Sequence, residues 1–173
     1  KFFIEHGARK VLGLDVSKNM INEANEFNAN DAISYQVLPM ENIDKLNEKF
    51  DLVYSSLAFH YIEDFDKLID DIYNLLNDDG LLVFSQEHPL NTAPIMINGL
   101  DNKTHIEGKR YYYLSDYNNE SKRIVDWNNE KIVKYHRNFS SVINTLVKHN
   151  FKILEIKEST ASAEAIKLVD KYK

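Results

Sequence analysis

Apolar positions come first in short runs and then in helical stripes. Phe2-Phe3-Ile4 stops at Gly7, which predicts the last turn of a helix with glycine in the left-handed conformation just past its end. Lys10 to Asp15 is an apolar run closed by an acid, the pattern of a buried parallel strand. Ser17 then caps a helix whose Met20, Ile21, Ala24 and Phe27 share one face. Ile33 to Leu38 predicts a second strand stopped by Pro39, and Phe50 to Ser56 a third. Asp64 caps the clearest helix, where Phe65, Leu68, Ile69, Ile72, Leu75 and Leu76 repeat every 3.6 residues. Asn77-Asp78-Asp79-Gly80 ends it, and Leu81 to Ser85 is a fourth strand. Alternating strands and helices predict an α/β fold: a parallel sheet with helices on both faces.

The pattern changes after Pro89. Residues 91–138 lack helical periodicity and hold aromatic, β-prone segments at Arg110–Tyr117, Arg123–Trp127 and Lys131–Arg137, with Asn128-Asn129 as a hairpin turn between the last two. They predict an inserted antiparallel cap. Helical spacing resumes with Phe139, Val142, Ile143, Leu146 and Val147, capped by Ser140 or the residue before it. Phe151, Ile153 and Ile156 alternate as one more strand, and Ala163 to Lys173 is a short helical pattern. The expected organisation is one domain: residues 1–90 its main body, 91–138 the cap, and 139–173 a helix-strand-helix completing the body.

Composition narrows the function. In 173 residues there are 21 Lys and Arg against 27 Asp and Glu, 43% hydrophobic residues and no cysteine. That balance argues against disorder and against a nucleic-acid binder, which needs a basic footprint. Without cysteine there is no disulfide, thiolate nucleophile or cysteine metal site, and no metal is expected. No apolar run approaches about 18 residues, so neither membrane spanning nor secretion is expected, and the predicted location is the cytoplasm. Seventeen Lys against four Arg, with 19 Asn, suggest an AT-rich bacterial genome.

In an open α/β sheet, ligands bind outside the carboxyl ends of the strands. Asp15 stands at such an end, where a carboxylate either accepts hydrogen bonds from the vicinal hydroxyls of a ribose or merely caps the following helix.

Several segments, in order, carry a resemblance: Val11-Leu12-Gly13-Leu14-Asp15-Val16-Ser17 with Met20; Met40-Glu41-Asn42-Ile43; Phe50 to Ile62; Leu75 to Ser85; Glu87-His88-Pro89; and Lys134-Tyr135-His136-Arg137. Together they resemble the class I S-adenosylmethionine-dependent methyltransferases, in particular the small-molecule enzymes with a single methyltransferase domain and a Rossmann-like sheet. The resemblance implies S-adenosyl-L-methionine as cofactor. It gives Asp15 the ribose, sets Val16 and Met20 along the adenine, and puts Met40 and Glu41 at its other edge. Ser55 and Ser56 would face the methionine part. Two departures stand out. Pro39 occupies a position where the family usually has an acid. The glycine-rich loop and its strand would lie before Lys1, and the final strand after Lys173, so both ends are expected to be clipped and two central strands missing.

Methyl transfer needs positioning, and a base where the acceptor carries a proton. The candidates are His60, Glu87, His88 and His136, at strand ends or in the cap. Trp127 offers a ring face to a cation. Residues 103–137 hold eight basic and five acidic residues, a surplus of +3, which leaves 13 basic against 22 acidic, or −9, elsewhere. Arg110, Arg123 and Arg137 lie in this segment, and Arg137 is the candidate for holding an anionic small-molecule acceptor; salt bridging to the acidic body is the alternative. Two other functions remain open. One is a nicotinamide-dependent oxidoreductase, disfavoured because no Tyr-x-x-x-Lys occurs; the other is a non-catalytic scaffold of the same fold.

Overall fold

The structure is a computed structural model that describes residues 1–95, 103–127, 130–160 and 162–168. Asn128-Asn129 and residues 169–173, each assigned a conformation above, lie outside the described residues. Helix α1 (Phe2–Glu5) ends before Gly7 at φ 95°, and β1 (Val11–Asp15) follows. Ser17 Oγ accepts the Met20 N–H at 3.4 Å and starts α2 (Lys18–Phe27). Strand β2 (Ile33–Val37) pairs with β1 in parallel, from Val11 against Ile33 to Asp15 against Val37. A 3₁₀ turn at Met40–Lys45 leads to β3 (Phe50–Ser56). Asp64 Oδ1 accepts the Lys67 N–H at 2.9 Å to cap α3 (Phe65–Leu75), whose Phe65, Leu68, Ile69, Ile72 and Leu75 are buried.

Strand β4 (Leu76–Ser85) pairs with β3 in parallel, from Leu52 against Leu81 to Ser56 against Ser85. The expected turn at Asn77–Gly80 is instead a bulge inside this strand, between the Phe50–Leu76 and Leu52–Leu81 pairs. Asp79, not Gly80, takes the left-handed conformation there, at φ 61°. Gly80 serves close approach, since a Cβ on it would lie 2.9 Å from the Asn77 carbonyl oxygen.

The cap contains α4 (Pro89–Thr92) and two antiparallel hairpins. One joins β5 (Lys103–Ile106) to β6 (Lys109–Tyr112) through Glu107 and Gly108, both at positive φ; the other joins β7 (Lys122–Trp127) to β8 (Glu130–Tyr135). Helix α5 (Phe139–Lys148) follows, and its cap is Asn138, earlier than expected, whose Oδ1 accepts the Ser141 N–H at 2.9 Å. Helix α6 (Ala163–Leu168) comes last.

The core lies where α3 and α5 meet the strands. Ile43, Phe59, Ile62, Leu68, Ile69, Ile72, Val142 and Leu146 are buried together, with Val53, Leu82 and Phe84 of the β3–β4 pair packed against them. The opposite face of that pair keeps Leu52, Tyr54, Leu81 and Val83 exposed, with Phe3 of α1 edge-on to Tyr54. Thus the Rossmann-like parallel strands occur as two hydrogen-bonded pairs among the described residues, not as one continuous sheet. The strand expected at Phe151–Ile156 does not form. An alternating pattern becomes a strand only beside a partner edge, and here Leu154 and Ile156 stay exposed while Phe151 turns to the core and to the Tyr73 ring. No described helix is long and apolar enough to cross a membrane.

Candidate functional site

Asp15 ends β1 half-buried. Its Oδ1 accepts the Ser17 N–H at 2.7 Å, a local turn that steers the chain into α2. Its Oδ2 makes no hydrogen bond among the described residues, so helix entry uses one oxygen and leaves the other. Val16 and Met20, 67% and 53% exposed, present bare apolar surface beside it. Met40 packs on the edge of the core, and Glu41 is exposed. At the tip of β3, Ser56 Oγ lies 3.5 Å from Ser85 Oγ, Ser55 is half-buried, and the Leu57 N–H donates to Ser85 O at 2.9 Å. Leu57 itself sits at φ 51°, an uncommon conformation for a bulky side chain.

The sequence candidates for proton transfer part company. His60 is 3% exposed, and its Nδ1 accepts the Glu87 backbone N–H at 3.3 Å. That fixes the neutral ring as the Nε2–H tautomer, with Nε2 4.0 Å from Glu87 Oε1. Burial lowers the His60 pKa, the Glu87 carboxylate raises it, and the Lys134 ammonium lowers it; the net direction is down. Lys134, which sequence reasoning did not single out, is buried on β8 and donates to the same Glu87 Oε1. Its Nζ lies 5.9 Å from the Tyr61 ring centre and 5.8 Å from that of Trp127. His60, Glu87, Lys134, Tyr61 and Trp127 therefore form one cluster, with Glu87 and Trp127 on its open side.

His88 and His136 stand apart from it. His88 Nδ1 accepts the Leu90 N–H at 3.1 Å as the cap of α4, and Nε2 lies 2.9 Å from Glu158 Oε1. His136 is 1% exposed, between Thr92 Oγ1 at 2.8 Å from Nδ1 and the Tyr117 carbonyl at 2.9 Å from Nε2. Burial lowers its pKa, and with both nitrogens paired the ring serves as a strut.

The cap arginines are also engaged by the fold. Buried Arg123 donates to the carbonyls of Ala93 (3.0 Å) and Asn119 (2.9 Å) and to Ser121 Oγ (2.6 Å). Arg137 donates through Nη2 to the carbonyls of Ile62 and Glu63 and lies 5.0 Å over the Phe65 ring. The hollow it lines, about 590 Å³, also holds Glu63, Asp64, Asp66, Glu120 and Lys148. Four carboxylates against Arg137 and Lys148 leave this hollow with a net acidic lining, which does not favour an anion there.

Residues 1–84 match a family described as a methyltransferase domain. The crystal structure of an S-adenosylmethionine-dependent methyltransferase from Mesorhizobium loti superposes with a TM-score of 0.85 at 33% identity, over 99% of this chain and 77% of that one. The chain belongs to the S-adenosylmethionine-dependent methyltransferase family. An uncharacterized protein of Haemophilus influenzae is 34% identical over 91% of this chain, which spans 64% of that relative's length. Juvenile hormone acid O-methyltransferase of Bombyx mori is 31% identical over 52% of the chain and 34% of its own length. Membership makes S-adenosylmethionine the cofactor to test against the residues. They fit it in chemistry: a carboxylate with one open oxygen suits a pair of donor hydroxyls, and Val16 and Met20 suit a flat apolar base.

Proposed function

We propose that the protein transfers a methyl group from S-adenosylmethionine to a small-molecule acceptor bearing an N–H or O–H. The observation that carries this reading is the open Oδ2 of Asp15 at the carboxyl end of a parallel strand, in a chain of this family. Asp15 accepts the ribose hydroxyls. Val16 and Met20 cover one side of the adenine, Met40 and Glu41 stand at its other edge, and Ser55 and Ser56 serve the methionine end. The bound cofactor supplies an electrophilic methyl group on a sulfonium.

The acceptor's proton is the chain's own task. Among the four candidates, His60 and His88 already receive a backbone N–H on Nδ1, and His136 pairs both nitrogens inside the fold. A ring whose lone pair is occupied is not poised as a base. Glu87 keeps Oε2 clear of hydrogen bonds to the described residues, because His60 and Lys134 both address Oε1. We therefore assign the proton to Glu87 Oε2, which becomes a carboxylic acid and returns the proton to solvent. Trp127, 54% exposed and with its ring centre 5.8 Å from the Lys134 Nζ that Glu87 receives, offers a ring face to the acceptor. The Bombyx relative, named for a small acid acceptor, supports a small-molecule substrate.

Calorimetric titration of the protein, expressed from its complete gene, with S-adenosylmethionine and with NADH tests this reading. Binding of the first alone is expected. Asp15→Ala should weaken it roughly 10- to 100-fold, the worth of one to two hydrogen bonds to a charged group. A folded protein that binds neither ligand would favour the scaffold alternative, and an unchanged affinity in Asp15→Ala would remove Asp15 from the site.

A further inference from the structure

We propose that Lys134 is a positioning residue of this site: from β8 it pins Glu87 Oε1 on the Nε2 side of the His60 ring, whose tautomer the Glu87 backbone N–H sets, and leaves Glu87 Oε2 turned to the acceptor. The inference rests on the methyltransferase reading for its purpose but on the cluster's geometry for its content.

Three elements meet here. His60 comes from the turn after β3, Glu87 from the segment after β4, and Lys134 from the cap. Glu87 alone touches both others, since its backbone N–H donates to His60 Nδ1 while its Oε1 faces His60 Nε2 and receives Lys134 Nζ. Backbone and side chain of one residue thus address both nitrogens of one ring. The lysine side chain is 11% exposed and that of Glu87 28% exposed, so the cation is the inner partner and the carboxylate the outer. The Tyr61 and Trp127 rings flank the ammonium, and they favour a cation there without accepting its proton. A freely moving lysine would gain nothing from that enclosure. A lysine whose work is to fix a carboxylate gains a single orientation. The cap hairpin therefore contributes more than a roof, because it delivers the group that orients residues on the strand ends.

The charged groups facing His60 are Glu87 and Lys134, with the Tyr61 ring beside it, centroid to centroid 4.2 Å and tilted by 47°. They act on the ring in opposite directions, which gives a test that plain loss of structure cannot imitate. Long-range ¹H–¹⁵N NMR of the His60 ring, across pH and in the protein from its complete gene, reads both tautomer and titration midpoint. The wild type is expected to show unprotonated Nδ1 and protonated Nε2, with a midpoint below that of a free histidine. Lys134→Met should raise that midpoint by about half a pH unit or more, Glu87→Gln should lower it, and Lys134→Arg should restore it. Circular dichroism and calorimetry with S-adenosylhomocysteine establish that each variant is folded and binds. An Nδ1–H tautomer, a midpoint unmoved by Lys134→Met, or a Lys134→Arg protein that behaves like Lys134→Met would each overturn the proposal. Loss of cofactor binding in the wild type would instead defeat the functional reading and leave the Lys134 geometry to be judged by the NMR alone.

Discussion

Two buried polar assemblies draw on the cap, one within it and one where it meets the strand ends, and they solve burial in opposite ways. Around Arg123 and His136 the partners are main-chain carbonyls and neutral hydroxyls: Ala93, Asn119, Tyr117, Ser121 and Thr92. Around His60 and Lys134 the partner is one titratable residue, Glu87, which gives its backbone N–H to His60 and its carboxylate to Lys134. The first set turns its bonding inward and ties α4, the loop before β7 and β8 into one piece. The second keeps an oxygen of Glu87 outside that account and places it beside an exposed tryptophan. Groups whose bonding is used up inside the fold hold a shape, whereas a carboxylate with an oxygen to spare is placed to do chemistry.

The difference is broken most severely at Arg123. Arg123→Met keeps the bulk but strands several carbonyls that the guanidinium served, and the expected loss is roughly 3 kcal/mol of stability. Urea unfolding followed by circular dichroism measures it. A loss below about 1 kcal/mol would mean that water replaces the guanidinium and that this assembly is no more structural than the other.

Acidification should act on both assemblies at once. His60 and His136 have pKa values lowered in the fold, chiefly by burial. Below the ordinary value of 6.5 the unfolded chain takes up protons that the native rings refuse. The stabilisation from both rings is therefore complete above pH 6.5 and is lost as pH falls toward the native midpoints. Urea midpoints should decline from pH 7.5 to pH 5. His136→Asn should flatten the decline, because one of the two rings is gone.

Much of this was legible in the chain, and the omissions have physical causes. Asp64 with its 3.6-residue stripe gave α3, and the run at Phe50–Ser56 gave β3, because cap and periodicity agreed with the tertiary packing. Strand β5 went unseen since Lys103–Ile106 is mostly polar and its turn, Glu107-Gly108, lacks the Asn-Gly or Asp-Gly signal. Phe151–Ile156 misled because alternation describes a pleated surface without saying whether an edge awaits it. At the site, Asp15, His60 and Glu87 could be placed from strand ends. Lys134 could not, since a lysine in a strand ordinarily faces solvent. Its one signal was spacing: it stands two residues before His136, just past the end of β8, and both side chains are buried.

Lys134→Met sharpens the comparison from the other side. It removes a single donor from a carboxylate that remains 28% exposed and can hydrate. Stability should therefore fall by about 1 kcal/mol or less, well under the Arg123 effect. Equal losses in the two variants would erase the distinction between a scaffold cluster and a working one.

The smallest effect belongs outside both, at Asp66 on α3. Its carboxylate receives Lys148 Nζ at 2.7 and 2.8 Å, and His149 Nε2 lies 3.1 Å away, joining α3 to the end of α5 in the open. The Lys148 hydrogen bonds, then the His149 contact, hold its carboxyl below the ordinary 3.8. A depressed carboxyl stabilises the fold above that ordinary value and ceases to as pH falls through the native midpoint. Half-exposed side chains and salt screening keep the worth of such a contact to roughly half a kcal/mol. Asp66→Asn should lower the urea midpoint slightly at pH 7 and low salt, less in 1 M salt, and not at all near pH 2. A loss that persisted at pH 2 would come from packing, and charge pairing on this surface would then carry no part of the link between α3 and α5.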